Sequence, residues 1–230
     1  RPPRSTLFPY TTLFRSYTKL SPNHSGQRTH SIDRITPHCV VGQCSVETLG
    51  NVFLPKSRQA SSNYGIGVDG RVGMYVEEKN RSWCSSSAAI DQRAVTIECA
   101  SDSKAPYAFK DVVYEKLIQL CTDICKRNGK TRLLWLGDKD KTLGYTPAPD
   151  EMVLTVHRWF ANKSCPGDWM YARMGDLAEK VTAALDGQTQ APLDNTPAAW
   201  SKDAVNWALE NRLLLGDANG DLKLRENLTR

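Results

Sequence analysis

Apolar positions along the chain switch between a period of two and a period near 3.6, and those switches mark out its elements. Arg34–Val41 (RITPHCVV) has strand composition. Proline in a sheet is confined to edges, ends or bulges, so Pro37 is expected to break this strand near His38 and leave the imidazole at a sheet end. Ser45–Leu54 reads as a short helix, with Ser45 as N-cap and Val46, Leu49 and Phe53 on one face. Asn63–Val68 and Arg71–Glu77 are strand-like and meet at Asp69-Gly70, a hairpin signal. In Arg93–Ala100, Val95, Ile97 and Cys99 alternate with Ala94, Thr96 and Glu98, so the two sets face opposite sides of a strand. Pro106–Asn128 carries a long helix with Val113, Leu117, Leu120, Cys121 and Ile124 on its apolar stripe, and Asn128-Gly129 stops it. Thr131–Leu136 is strand-like, and a polar Gly/Pro/Asp stretch leads through Glu151 into Met152–His157. Asp168 is placed to cap a last helix through Leu185, whose stripe is Met170, Met174, Leu177, Val181 and Leu185. Strands first clustered and then alternating with helices give an α/β fold, a mixed central β-sheet flanked by helices.

Both ends of the chain depart from this pattern. Thr6–Ser16 (TLFPYTTLFRS) has no helical or strand period, and it resembles the in-frame translation of a sequencing-adapter oligonucleotide. Residues 1–16 are therefore read as a non-native scar, with the natural protein beginning near Tyr17 and a polar, extended lead-in running to Asp33. After the domain at 17–185, composition turns to Gly, Gln, Asn, Thr and Pro across 186–197, a linker. Residues 198–230 form a short helical C-terminal module, with Ala204, Trp207, Ala208 and Leu215 expected inward. It is too short to bury a core of its own.

Composition narrows the partners. The 230 residues carry 40% hydrophobic residues and a net charge of +5. No apolar run approaches the roughly 18 to 20 residues of a membrane span, and no Lys/Arg block marks a nucleic-acid tail. We expect no membrane insertion, no nucleic acid, and a monomer. Seven cysteines cannot all pair, so at least one is free or a metal ligand. Cys121 and Cys125 sit at helical spacing among core residues and read as small hydrophobes. This usage suits synthesis in a reducing compartment.

Chemistry gathers in Thr155–Trp169 (TVHRWFANKSCPGDW), where His157, Lys163 and Cys165 sit at fixed offsets and Pro166-Gly167 forces a turn. Two ligands do not hold zinc firmly, and a catalytic zinc keeps three protein ligands with water in the fourth position. His38, His157 and Cys165 would meet that requirement; the bland alternative is a buried histidine and a free cysteine. His24 and His30 have no ligand-like neighbours. Lys163 could stabilise an oxyanion or be a solvated lysine. Proton transfer needs a nearby acid or base, for which Glu98 is the first candidate and Tyr64 the second, although Glu98 taken alone reads as an exposed strand carboxylate.

Four pieces, His38 after a strand, NYGIGVDGRV at 63–72, RAVTIE at 93–98 and H-x5-K-x-CPG at 157–167, together resemble the zinc N-acetylmuramoyl-L-alanine amidases of the amidase-2 or peptidoglycan-recognition type, phage endolysins in particular. The likeness spans roughly Ile32–Leu185. It implies a zinc ion at one end of the sheet on His38, His157 and Cys165, catalytic Glu98 and Lys163, and a peptidoglycan groove touching Asn63, Tyr64 and Trp83. The implied reaction is hydrolysis of the amide between the muramic lactyl group and L-alanine, by a lysin made without a visible signal peptide and acting on the wall after release. The alternative is a non-catalytic peptidoglycan-binding protein of the same fold. Two departures stand out: a Trp-His pair often lining the groove reads Trp83-Cys84 here, and the tyrosine some phage members use as proton shuttle falls on Ser62. Trp200–Arg230 resembles part of one surface-layer-homology repeat. A calcium loop at Asp217–Asp221 is disfavoured by Leu222 and Leu228 at its sixth and twelfth positions.

Overall fold

The computed structural model describes residues 15–186, 197, 201–211, 213–214 and 222. The chain divides into two units, Arg1–Asp186 and Gly187–Arg230. Among the described residues the first contains nine strands: β1 Arg15–Thr18, β2 His24–Gln27, β3 Arg34–Cys39, β4 Tyr64–Ile66, β5 Val72–Met74, β6 Asn80–Ser82, β7 Ala94–Cys99, β8 Arg132–Leu134 and β9 Glu151–Leu154. Seven make one sheet in the order β1-β5-β4-β7-β3-β9-β8, while β2 and β6 form a separate antiparallel pair. Within the large sheet only β4 and β5 run antiparallel, as the Asp69-Gly70 turn requires. The other neighbours are parallel. Among the described residues the helices of this unit are α1 Val46–Phe53, α2 Ala88–Asp91, α3 Asp111–Arg127, α4 Lys139–Gly144, α5 Asp168–Tyr171 and α6 Met174–Leu185. The mixed sheet with flanking helices is the α/β fold that the periodicity predicts.

One face of the sheet is apolar. Ile35 on β3, Val95 and Ile97 on β7 and Leu154 on β9 pack with Val113, Leu117, Leu120 and Ile124 of α3 and Leu177 and Val181 of α6, all buried. Cys121 and Cys125 lie fully inside this layer, and all seven cysteines are free thiols. Helix α3 ends as Asn128-Gly129 predicts. Gly129 takes φ 66°, the Gly129 N–H donates to Lys126 O and the Lys130 N–H to Cys125 O, which satisfies carbonyls that the last turn leaves open.

Several local expectations are corrected. The extended lead-in forms β1 and β2, and β1 starts inside the stretch read as adapter-derived. Polar segments conceal two short helices, α2 and α4, each capped by a side chain, Ser87 Oγ and Asp138 Oδ1. The helix expected over 168–185 is split because Arg173 leaves helical backbone, at φ −106° and ψ 5°, and its carbonyl accepts from the Leu177 N–H at the start of α6. Asp168 is the first residue of α5 rather than its cap; Gly167 stands there and makes no side-chain bond.

Pro37 sits inside a central strand, not at an edge. The bonds Arg34 N–H to Arg93 O and Val40 N–H to Cys99 O show that even-numbered groups of β3 face β7, whereas Asp33 O and Ile35 O accept from Val153 and Thr155 on the β9 side. The donor that Pro37 lacks would therefore face β9. The β3–β9 register stops at Ile35↔Leu154, and the two chains part where the next donor is missing.

In the second unit, α7 Lys202–Glu210 is the described helix. Ala204 is exposed and Trp207 is 59% exposed, against the inward face expected for them. The expectation for Leu215 lies outside the described residues. Among the described residues no helix is long and apolar enough to cross a membrane.

The apolar layer yields a stability prediction. Leu117→Ala removes a fully buried side chain between α3 and the sheet, and urea unfolding should show a loss of about 2–5 kcal/mol.

Candidate metal centre

The polar face of the sheet carries the site. Parallel register sets His38 on β3 beside Glu98 on β7 and Thr36 beside Thr96. Thr36 is spent on a 2.6 Å hydrogen bond to Thr155, and Asn63 N–H donates to Thr96 Oγ1. His38 and Glu98 are the last polar pair before the strands end, and they face a groove.

Where β9 leaves β3, the chain enters a 3-10 turn, His157–Trp159, so His157 belongs to a turn and not to the strand expected through it. The segment after it is folded back by Arg158. Its backbone N–H donates to Cys165 O at 3.1 Å, and its guanidinium binds Ser164 O and Asp168 Oδ1 while lying 4.5 Å from the Tyr171 ring centroid. Gly167 then turns at φ 86°, where a Cβ would come within 2.9 Å of Pro106 O. This return brings Cys165 Sγ to 3.3 Å from His38 Nδ1, and the His38 and His157 ring centroids to 5.1 Å. One ligand atom from each of His38, His157 and Cys165 lies within 4.8 Å of the others, a set able to hold a metal ion.

Electrostatics suit such an ion. His38 is 1% exposed, and burial together with His157 pushes its pKa down to about 3, so the ring is neutral. Its Nε2 is buried without a partner. Burial and the Lys163 ammonium likewise hold His157 below its ordinary value. His157 Nε2 lies 2.9 Å from Ser86 Oγ. The adjoining Cys39 thiol and burial push Cys165 up, so without a cation nearby it keeps its proton. Glu98 as a residue is half-buried, but its Oε2 is shut off from solvent and unpartnered, and Oε1 accepts from the Cys84 thiol at 3.7 Å. Burial raises this carboxyl to about 7. Its expected solvent exposure is thus corrected: the alternation of β7 aims it at the groove.

Two cavities of about 360 and 490 Å³ form that groove, and Phe53, Arg58, Glu98, His157 and Lys163 line both. Cys165 and His38 stand in the first lobe with an apolar wall including Leu49 and Val52. The second lobe is walled by Trp83, Arg81 and Ser86. Lys163 is exposed at the rim of both lobes.

Two expected groove residues lie elsewhere. Asn63 is fully buried, and its side chain accepts from Arg28, Ser82 and Thr96 and donates to Val76, Glu77 and Asn80 carbonyls, so no polar atom is left for a ligand. Tyr64 pairs with Ile97, one position out of phase with Glu98, and therefore points into the apolar layer. Burial and Glu78 push its phenol up, which removes it as a proton shuttle. Ser62, also buried, donates to Tyr64 O and lines neither lobe. Sequence reading missed Arg58, Arg81 and Ser86. Arg58 follows α1 in a short 3-10 turn, Lys56–Arg58, and nothing in its local pattern ties it to Glu98.

Comparison with known proteins gives one matching family model, described as N-acetylmuramoyl-L-alanine amidase, over residues 22–168. Solved structures with the same fold include PlyL, at 14% identity and TM-score 0.51 over 72% of this chain and 95% of that one. An AmpD derivative matches at 16% identity and TM-score 0.51, covering 72% and 96%. A mutant endolysin from Bacillus subtilis matches at 11% identity and TM-score 0.50, covering 72% and 97%. No curated protein sequence matches.

Two outcomes follow from this geometry. Asn63→Ala strips partners from several buried groups and should cost about 2–4 kcal/mol in urea unfolding. Glu98 binds its proton more tightly folded than unfolded, so it costs nothing below pH about 4 and destabilises progressively as pH rises from about 4.5 to about 7. In metal-free protein, Glu98→Gln should raise stability by up to about 3 kcal/mol at pH 8 and leave it unchanged at pH 4. An equal effect at both pH values would contradict burial of this carboxyl.

Proposed function

Because the chain belongs to the N-acetylmuramoyl-L-alanine amidase family, we propose that it cleaves the amide between the muramic lactyl group and L-alanine of peptidoglycan with a zinc ion held by His38, His157 and Cys165. The observation that carries this reading is the convergence of those three ligand atoms within 4.8 Å at the floor of a groove, beside Glu98. Two imidazoles and a thiol are a zinc donor set, and the neutral ring of His38, whose Nδ1 faces Cys165 Sγ at 3.3 Å, fits it. Zinc bound there would polarise the amide carbonyl and lower the pKa of water.

The protein's own groups do the rest. Glu98, held near neutrality by burial, takes a proton from the attacking water and gives it to the departing amine, so that the C–N bond breaks to a carboxylate and an amine. Lys163, at the rim of both lobes, stabilises charge on the carbonyl oxygen. Trp83 supplies an aromatic wall, its Nε1 tied to Ser25 Oγ at 2.6 Å. Arg158 acts as a positioning residue that holds the Cys165 loop closed. The protein acts on the cell wall as a lysin, and the tail beyond the linker, read as a surface-layer-homology fragment, would add affinity for the wall.

The decisive assay is release of free stem peptides from purified sacculi. A chelator should abolish it, Cys165→Ser should lose most bound zinc by elemental analysis, and Glu98→Gln should lower kcat by about 10²–10⁴-fold with zinc retained. Full zinc content in Cys165→Ser would remove that residue from the ligand set. Binding to sacculi without release would favour a recognition protein of the same fold.

A further inference from the structure

Six of the eleven described arginines are spent on carboxylates. Arg34, Arg71, Arg93, Arg127, Arg132 and Arg158 each sit in an ion pair. Among the described residues Arg58 and Arg81 are in none, and both line the second lobe of the groove. Arg58 also borders the first lobe, and its charge reaches Glu98. Arg81 reaches the hydroxyl of Ser25 through Nη2 at 2.5 Å, while its Nε is buried and unpartnered. Trp83, two residues on, binds the same hydroxyl, so guanidinium and indole are fixed on one wall.

Acidic groups offset only part of the positive charge of this lobe. The other charged groups lining it are Lys163, Asp91 and Glu98. Asp91 accepts the backbone N–H groups of Cys84 and Ser85 and also feels the charge of Arg81, and Glu98 serves the reaction. The lobe is a polar trough of about 490 Å³ with three cations, Arg58, Arg81 and Lys163, against two carboxylates, and two of the cations are planar forks that match a carboxylate. In the substrate of the proposed reaction the muramic carboxyl is consumed by the amide bond, so the sugar side offers no anion there. Negative charge lies on the peptide.

We infer that the second lobe takes the stem peptide, and that Arg58 and Arg81 together read a free α-carboxylate on the glutamate following L-alanine, disfavouring its carboxamide. This rests on the amidase reading above. A site built around cations discriminates through the group it would otherwise leave unpaired, so the selection is expected mainly in KM.

The test uses the full chain loaded with zinc and two soluble muramoyl peptides that differ only in carboxylate against carboxamide at that glutamate. The wild-type protein should favour the carboxylate by about tenfold in kcat/KM, and the advantage should shrink as salt rises. In the Arg58→Gln/Arg81→Gln double variant the ratio should fall below about twofold. Arg58→Gln alone, at an exposed position, should narrow it part of the way and serves if the double variant does not fold. A tenfold preference retained in the folded double variant, or equal use of both peptides by the wild type, overturns the inference. Calorimetric binding of the same two peptides keeps the two readings apart. If neither is cleaved, the amidase reading fails, while tighter binding of the carboxylate form, lost in the variant, still supports the clamp, and equal binding overturns it.

Discussion

The in-register pairing of β3 with β7 is the constraint on which the site depends. It sets His38 beside Glu98 at the same level of the sheet, with both side chains on the polar face. Pro37 completes the arrangement from the other side: without its donor the β3–β9 ladder ends, and β9 departs into the turn that carries His157. Slipping either strand by one residue would send His38 or Glu98 into the apolar layer. A proline that looks like a flaw in a central strand is what opens the sheet at the place where the groove begins.

Stability and chemistry pull against each other here. His38 and Glu98 each keep a buried polar atom without a partner, an arrangement a folded protein ordinarily avoids. The cost is met by the layer beneath, where α3 and α6 bury a continuous apolar face, and by the Asn63 network that ties β4 and β7 to the β2–β6 pair. Asn63 thus matters to the site through rigidity, without touching it. Burial also sets the protonation states that an amide hydrolysis needs: neutral imidazoles, and a carboxyl close to neutrality.

Charge in the groove is arranged differently from charge on the rest of the domain. Elsewhere six arginines close ion pairs and help hold segments together, as Arg93 does with Asp33 and Arg127 with Glu78. Around the second lobe Arg58, Arg81 and Lys163 line the cavity and, among the described residues, are in no ion pair. The modest net charge of +5 says little by itself; its placement is what bears on an anionic peptide.

From the sequence alone came the α/β class, the long helix with its Asn128-Gly129 stop, the hairpin at Asp69-Gly70 and the His38, His157, Cys165 set. The elements are legible because periodicity and turn chemistry act over a few residues, whereas the ligand set came from residue type, the three ligands that zinc requires and the family resemblance. The alternation of β7 also put Glu98 opposite Val95 and Ile97, but did not say which side was water. Tertiary structure decided that Glu98 is buried in a groove, that Asn63 is a structural hub and that Tyr64 faces the core, because register and layer packing choose the side to which each strand residue points. It alone brought Arg58, Arg81 and Ser86 to the site, across sequence separations that no local pattern encodes. It also split the helix over 168–185 and exposed Trp207, since an apolar stripe specifies a face to be covered and not what covers it.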